Sequence, residues 1–420
     1  MVTIKETESL TVPPWMARYG WLFVAAFILL QPLGNAFELP IAIMACLGLW
    51  LALTQPRAVM ALPAFKPLLL MFACIWLPML ASLTDAFFLS RAAQTTLSFL
   101  RFPLAALFAT MVLSSSIARN RLLLLIGLGL SAAAFIVVIL TATGHSSEGR
   151  MNLGFPVGHI LAVLSPIYFY WLWRMPQQHR WVWFIAPLYI MAILFSGARV
   201  AWIMLAVGIL LWAIQIFWVE KVKWRWKTTM VITSLLTLSI GTVFYNPGSS
   251  ERMVLTAGLL SGDYAKTNAA TSLRLPIWKV AVEVAKDHWI KGIGPRGFRY
   301  IYPAYVPKDD YWLIPRLRDG VWEFYKTGPT HPHQMLLEII VETGVIGLLG
   351  FLVVLVYWIK LYLRTARDNM RQTLPWMAAA FIAIMPINAH MAFYASFWSC
   401  ITWWLIAVSL AFWQAEGKEI

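Results

Sequence analysis

Two histidines and a scattered set of arginines are the residues of this chain best suited to chemistry. His331 and His333 lie in the stretch HPHQMLLEIIVETGVIG, which leads directly into an apolar segment. Imidazole titrates near neutral pH and can accept a proton, so either histidine could act as a general base. The alternative is that both side chains only cap a helix at the edge of a membrane.

The sequence after these histidines predicts where His333 lies. Pro332 suits the first position of a helix that continues through Met335 and Ile339, so we predict His333 in the first helical turn. Free backbone N–H groups and the positive end of the helix dipole favour an anion there, most obviously a phosphate. The same field disfavours imidazolium, so we expect His333 to be neutral and able to accept a proton.

Arginines are the natural partners of a phosphate group, because one guanidinium can bind two phosphate oxygens. Several of them near a helix N-terminus would form a pyrophosphate site. The candidates are Arg91, Arg101, Arg150, Arg199, Arg274, Arg296 and Arg299. Arg199 is the most informative, because it lies in a very short turn between two apolar segments, where a charge at the bilayer edge is costly. Any single arginine could instead contact lipid headgroups.

Two acidic pairs and one glycine motif have less specific meanings. Glu338 and Glu342 would share one helix face, and we expect them to pair with arginines rather than to act as acid and base. The segment Gly292–Gly297 matches GxGxxG, but no strand precedes it, so we interpret it as a turn that lets Arg296 reach inward. The aspartates in VPKDDYW have no partners at metal-ligand spacing, and we predict neither a metal nor a cofactor.

The elements that position these residues are membrane helices. The chain of 420 residues is 60% hydrophobic and has a mean hydropathy of +0.70, which is typical of a protein embedded in lipid. Apolar runs of about 20 residues predict about twelve spans and an all-α polytopic fold. Their predicted centres are Ala26, Cys46, Ile75, Phe108, Leu130, Leu164, Tyr189, Gly208, Leu238, Val353, Ile384 and Ile406.

Charge patterning predicts the orientation of these spans. The net charge of +14 comes from basic clusters on alternate connections rather than from one basic face, so we predict no nucleic-acid partner. The positive-inside rule makes those connections and both termini cytoplasmic. The polar, acidic N-terminus is unlike a signal peptide, and we expect the first span to be retained. We predict one integral membrane domain over residues 1–420, in which residues 246–330 form a long, partly helical outward loop between the ninth and tenth spans.

The long loop carries one clear helical pattern. In TSLRLPIWKVAVEVAKDHW, apolar residues recur at helical spacing, so we predict an amphipathic helix with Thr271 or Ser272 as its cap. Such a helix could roof a cavity at the membrane surface or simply pack against the spans.

Four stretches together resemble the O-antigen ligase and polymerase family of bacterial inner-membrane glycosyltransferases. They are SGAR ending at Arg199, SLRLPIWKVA and IKGIGPRGF in the long loop, and the HPHQ stretch, in which His333, Glu342, Gly344 and Gly347 fit the family pattern. The N-terminal half resembles the family only in topology and in Arg150. Two residues depart from the family's usual pattern, Ala198 and Gln334.

The resemblance implies a GT-C-like fold and a reaction at the periplasmic face of the inner membrane. The implied donor is a glycan on undecaprenyl pyrophosphate, and the implied reaction is an inverting transfer that needs no metal. His333 would be the general base. The implied donor-binding residues are Arg150, Arg199, Arg274 and Arg296, and the implied supporting residues are His331, Gln334, Glu342, Arg91 and Arg101.

Within the family, the expected activity is that of an O-antigen ligase, which transfers the glycan to lipid A–core. The alternatives are an O-antigen polymerase and a protein O-oligosaccharyltransferase. A transporter or flippase for a lipid-linked sugar is the alternative from another class. It predicts charges deep within the spans, whereas the charged residues of this chain cluster at their outer ends.

Overall fold

A computed structural model describes most of the chain as helices. The described residues are 12–143, 156–175, 182–221, 241, 251, 254–313, 316–318, 321–323, 327–368, 370–386 and 391–417. The helices before the long loop are α1 Pro14–Leu29, α2 Glu38–Thr54, α3 Pro56–Met60, α4 Phe65–Ser82, α5 Leu89–Ser98, α6 Arg101–Val112, α7 Ser116–Ala142, α8 Val157–Arg174, α9 Ala186–Phe195 and α10 Arg199–Ile214. The remaining helices are α11 Tyr264–Ala270, α12 Leu275–Asp287, α13 Phe298–Ile301, α14 Met335–Arg367, α15 Leu374–Ile384 and α16 Ser396–Glu416.

Within these residues, seven helical segments are long and apolar enough to cross a membrane. They are Gln31–Thr54, Phe65–Asp85, Leu89–Val112, Ser116–Ala142, Arg199–Val219, Met335–Arg367 and Ser396–Glu416. The all-α polytopic prediction is therefore confirmed. Every predicted span centre except Leu238 falls in a helix, and Leu238 lies outside the described residues. The count of twelve is compatible with the fold.

Close helix packing forms the interior of the bundle. Helix α6 packs between α2 and α16, and α14 packs along α4. Gly48 lets α2 approach so closely that a Cβ there would overlap the Leu104 carbonyl, and Gly350 allows the same approach of α14 to the Cys74 carbonyl. Small residues at such contacts permit the dispersion contacts that hold helices together in lipid.

Several helices begin at the same end of this bundle. One cavity is lined by Pro156 before α8, Glu38 at the start of α2, Ser396 at the start of α16 and His333 before α14. Arg101, the first residue of α6, donates a hydrogen bond to Ser396 Oγ at 2.7 Å. These are the helix ends that the positive-inside pattern assigns to the outward face.

The described part of the long loop contains helices and one small hairpin. Strands β1 Arg316–Arg318 and β2 Val321–Glu323 pair antiparallel. Helix α12 confirms the amphipathic prediction, because its apolar stripe, including Ile277 and Val284, is buried against Val341 of α14. The predicted Thr271 or Ser272 cap is wrong. Asn268 Oδ1 instead accepts the N–H of Leu275 at 3.3 Å.

Candidate functional site

The two histidines lie in a turn immediately before α14. That helix begins at Met335 and is capped by Gln334, whose Oε1 accepts the N–H of Leu337 at 2.6 Å. The prediction that His333 lies in the first helical turn is therefore wrong. His333 instead adopts a left-handed backbone conformation, with φ of 57°. Such a conformation is strained for a residue with a side chain, at roughly 1–3 kcal/mol, so tertiary contacts must hold it.

A hydrogen bond between the histidines supplies one such contact. The backbone N–H of His333 donates to Nδ1 of His331 at 3.0 Å, and the two ring centroids are 4.0 Å apart. Because Nδ1 of His331 acts as the acceptor, that ring carries its proton on Nε2 if it is neutral. His331 is buried and holds the backbone of the more exposed His333 in place.

Two buried carboxylates anchor α14 to its surroundings. Glu338 accepts the backbone N–H groups of Phe393 at 2.9 Å and Tyr394 at 3.2 Å. Its Oε2 is also 3.8 Å from His331 Nδ1, too far for a hydrogen bond to a nitrogen that already accepts one. Glu342 accepts the backbone N–H of Arg296 at 2.6 Å. These hydrogen bonds are with backbone N–H groups, and the positive charge of Arg296 also acts on both carboxylates, so the expected interaction with an arginine is present as a charge interaction.

Helix α14 is broken at Gly344, and the long loop fills the break. Gly344 has φ of 66°, and the broken helix exchanges hydrogen bonds with the glycine-rich turn. The N–H of Val345 donates to the Trp289 carbonyl at 2.8 Å, and the N–H of Gly294 donates to the Glu342 carbonyl at 3.0 Å. Backbone groups freed within a membrane helix must find partners elsewhere in the protein, and this turn provides them. The contact fixes the turn that carries Arg296.

Arg296 and both histidines line one cavity of about 500 Å³. Its size is within the range of small-molecule sites. Arg296 has φ of 64°, and Nη1 of its guanidinium is buried without a hydrogen-bond partner among the described residues. The cavity thus combines a proton acceptor with a fixed positive charge, which suits an uncharged nucleophile and an anionic leaving group.

Arg199 and Arg274 form a second cluster with the loop before α12. Arg199 donates to Ser272 Oγ at 2.8 Å and to Thr256 Oγ1 at 3.2 Å. Burial, together with the nearby charge of Arg199, lowers the pKa of Arg274 to about 10. Both side chains remain positive at neutral pH, and a bound anion would relieve their repulsion. Neither arginine is among the described residues that line the cavity.

The other predicted side chains have different environments. Arg91 on α5 donates to Gln94 Oε1 at 2.9 Å on the exposed surface, away from the cavity lining. Arg101 lies behind the cavity wall, with Nη1 3.6 Å from Glu38 Oε2. Gln334 donates to the Pro386 carbonyl at 3.3 Å and caps α14 rather than facing the cavity. Arg150 lies outside the described residues.

The polar cavity residues that the sequence analysis missed include Gln31, Glu38 and Ser396. Gln31 and Glu38 lie far from Ser396 in the chain, and all three lie at the starts of helical segments. Glu38 could have been noticed, because an acidic residue at the start of an apolar span is unusual. Gln31 and Ser396 carry no such signal, since uncharged polar residues are common at span ends.

The central part of the chain, residues 183–352, matches the family model described as O-antigen ligase. This match supports the resemblance to the O-antigen ligase family that the sequence motifs indicate. It contains Arg199, Arg274, Arg296 and both histidines, so the two clusters described above fall inside the matched region. No curated protein matched the chain. The matched family model supports, in broad terms, a ligase-type or polymerase-type glycosyl transfer with a lipid-linked glycan as a substrate.

Proposed function

We propose that this O-antigen ligase family protein transfers O-antigen glycan from undecaprenyl pyrophosphate to lipid A–core at the periplasmic face of the inner membrane. The observation that carries the proposal is the shared cavity of His333 and Arg296, beside the broken helix of the family segment. A base next to a fixed cation is what the transfer of a sugar from a pyrophosphate to a hydroxyl requires.

The proposed reaction is a single inverting displacement. His333 accepts the proton of an acceptor hydroxyl, and that oxygen forms a bond to the anomeric carbon of the donor sugar. The bond between the anomeric carbon and the pyrophosphate oxygen breaks at the same time, and the pyrophosphate leaves with the electron pair. Positive charge next to that oxygen stabilises the departing anion, so the step needs no metal.

The arginines supply that positive charge in our proposal. Arg199 and Arg274 grip the pyrophosphate, and Arg296 faces the bond that breaks. Arg150, which lies outside the described residues, is assigned to the same group from the resemblance. Helix α12 begins directly after Arg274 and is held against α14, so the loop links the arginine cluster to the helix that follows the histidines.

His331 has a positioning role in this proposal. Its Nδ1 accepts the backbone N–H of His333 and so holds the strained turn, and that turn sets the position of the His333 ring. Gln334 and Glu342 support the same geometry from either side, by capping α14 and by holding the backbone of Arg296.

The lipopolysaccharide of a strain that lacks the gene tests the proposed activity. A ligase predicts core without O-antigen on a gel, with long glycan retained on the lipid carrier. Core that bears one repeat would instead indicate a polymerase, and normal core with normal long chains together with an unglycosylated protein would indicate a protein O-oligosaccharyltransferase. Retention of the lipid-linked glycan on the cytoplasmic face would support the transporter alternative.

A further inference from the structure

The cavity contains a second group of polar side chains that the proposed reaction does not use. Gln31, Glu38 and Ser396 all line it. The Ser396 hydroxyl donates to Glu38 and accepts from Arg101, whose guanidinium lies 3.6 Å from the Glu38 carboxylate. The charge of Arg101 is thus largely balanced by Glu38. This side of the cavity offers hydrogen-bonding groups with little net charge.

Gln31 is the most informative member of this group. Its side chain is 1% exposed, yet neither its amide oxygen nor its amide nitrogen has a hydrogen-bond partner among the described residues. Burying such groups without partners destabilises a fold, and buried amides are normally satisfied. Because Gln31 also lines the cavity, a ligand there that both donates and accepts hydrogen bonds could satisfy this amide.

The polar and aromatic side chains on this side of the cavity favour a neutral sugar ring as the ligand. A sugar hydroxyl can donate to the amide oxygen of Gln31 while a neighbouring hydroxyl accepts from its nitrogen. The Glu38 carboxylate has further acceptor capacity for hydroxyl groups, and because Arg101 balances its charge, this wall offers no excess positive charge to a phosphate. Phe37 and Phe397 add apolar surface to the same lining, which suits the C–H faces of a pyranose ring.

We infer that Gln31 and Glu38 form a subsite for the hydroxyl groups of a sugar ring beside the reacting bond. The inference rests on the proposed function and assigns the uncharged part of the substrate to a place within the same cavity. The ring is either the acceptor sugar of the core or the first sugar of the donor glycan. Both offer the same hydroxyl chemistry, so experiment must separate them.

Substitution of Gln31 by Leu or by Met distinguishes a ligand-binding amide from a merely buried one. Both variants remove the unsatisfied polar atoms and keep the volume similar, so they should leave the melting temperature unchanged or raise it. If the amide binds sugar, KM for one substrate should rise about five- to tenfold, as expected for the loss of one or two hydrogen bonds.

Gln215→Leu is the matched control. Gln215 is equally buried, but its amide nitrogen donates to the Arg371 carbonyl at 3.0 Å, at the opposite end of the bundle. This variant should lose thermal stability and leave both KM values unchanged. The Gln31 variants should thus bind substrate more weakly without losing stability, whereas Gln215→Leu should lose stability and bind normally. A purely structural role for Gln31 would not produce this contrast.

Two readouts separate the sources of the sugar and keep the test independent of transfer. Purified protein in nanodiscs is assayed with donor and acceptor varied in turn, and a rise in KM for one of them identifies the ring. Saturation-transfer NMR then measures direct binding of delipidated core oligosaccharide and of O-antigen glycan released from its lipid. Wild-type protein should saturate one of these probes, and both Gln31 variants should lose that signal.

The outcomes are distinguishable from failure of the proposed function. If wild-type protein transfers no glycan to lipid A–core, the proposed function fails, and the NMR measurement still decides the subsite. The inference is overturned if both Gln31 variants keep wild-type KM values and wild-type binding of both probes. It is also overturned if wild-type protein binds neither oligosaccharide.

Discussion

The His331–His333 turn shows how a short segment can hold a strained backbone at the edge of a cavity. The left-handed backbone of His333 costs free energy, and the bond from its N–H to His331 offsets part of that cost. Strain of this kind is tolerated where the surrounding structure determines it fully. Here the same turn lines the cavity and precedes a capped helix, so the geometry of the proposed base is fixed before substrate binds.

At the residue scale, the proposed binding of pyrophosphate by Arg199 and Arg274 can be tested by substitutions that keep the positive charge and change the shape of the side chain. Lysine keeps the positive charge but lacks the planar fork that binds two phosphate oxygens. We expect Arg199→Lys and Arg274→Lys each to lower transfer at least about tenfold, as for the loss of a charge-assisted hydrogen bond. The measurement is kcat/KM for donor lipid in purified protein.

Arg91→Lys provides the control, because Arg91 is exposed and donates a hydrogen bond to Gln94 on its own helix. It should transfer normally. Near-normal transfer by both variants of the arginine cluster, Arg199→Lys and Arg274→Lys, would show that these arginines act only as point charges or as structural residues.

At the scale of elements, the backbone hydrogen-bonded contact between the broken helix α14 and the glycine-rich turn determines where Arg296 lies. Gly344→Ala should destabilise it, because alanine is strained at φ of 66° and its Cβ would overlap the Ile290 carbonyl. We expect a loss of at least about 1–3 kcal/mol and a displaced Arg296. Thermal unfolding together with donor-dependent transfer measures both effects.

Gly129→Ala in α7 is the matched change. Its Cβ would meet only the end of the Leu29 side chain, which can move aside. That variant should keep the stability and the activity of the wild type. If Gly344→Ala were as stable as Gly129→Ala, the contact with the broken helix would not be what holds the glycine-rich turn in place.

The elements differed in how well the sequence predicted them. The spans were predictable because lipid requires every backbone group to be bonded within a helix, so long apolar runs have few alternatives. The start of α14 was not, because Pro332 suits the first position of a helix and only tertiary contacts place the start at Met335. The partners of Glu338 and Glu342 were also missed, since each accepts N–H groups from segments remote in sequence. Local patterns contain no information about such contacts.

The same limit applied to the candidate site. His333, Arg199, Arg274 and Arg296 could be selected because charged and titratable residues are rare at the ends of apolar segments. The sequence could not predict that these residues divide between a cavity and a separate arginine cluster, because that division depends on how the helix ends meet. Gln31 becomes informative only once the structure shows that it is buried and that its amide has no hydrogen-bond partner among the described residues.

At the scale of the whole molecule, several helices begin at the same end of the bundle, and this arrangement predicts how the protein is oriented in the membrane. Because the cavity lies at that end, the long loop and the histidines must face the same side of the membrane. We predict that side to be the periplasm and both termini to be cytoplasmic. Alkaline phosphatase fused after Gly262 should be active, and the same reporter at the C-terminus should be inactive. An active C-terminal fusion, or an inactive one after Gly262, would reverse the assignment.

Single-turnover transfer by His333→Ala tests the central claim most directly. Purified variant and wild type are given lipid-linked donor and lipid A–core, and protein level, melting temperature and donor binding are checked alongside. We predict that His333→Ala loses at least about a hundredfold in rate, the usual contribution of a general base, while it still folds and binds donor. His331→Ala should lose less, since it removes only the positioning contact. If His333→Ala keeps most of its activity while His331→Ala is inactive, His333 is not the base and the proposed mechanism is wrong.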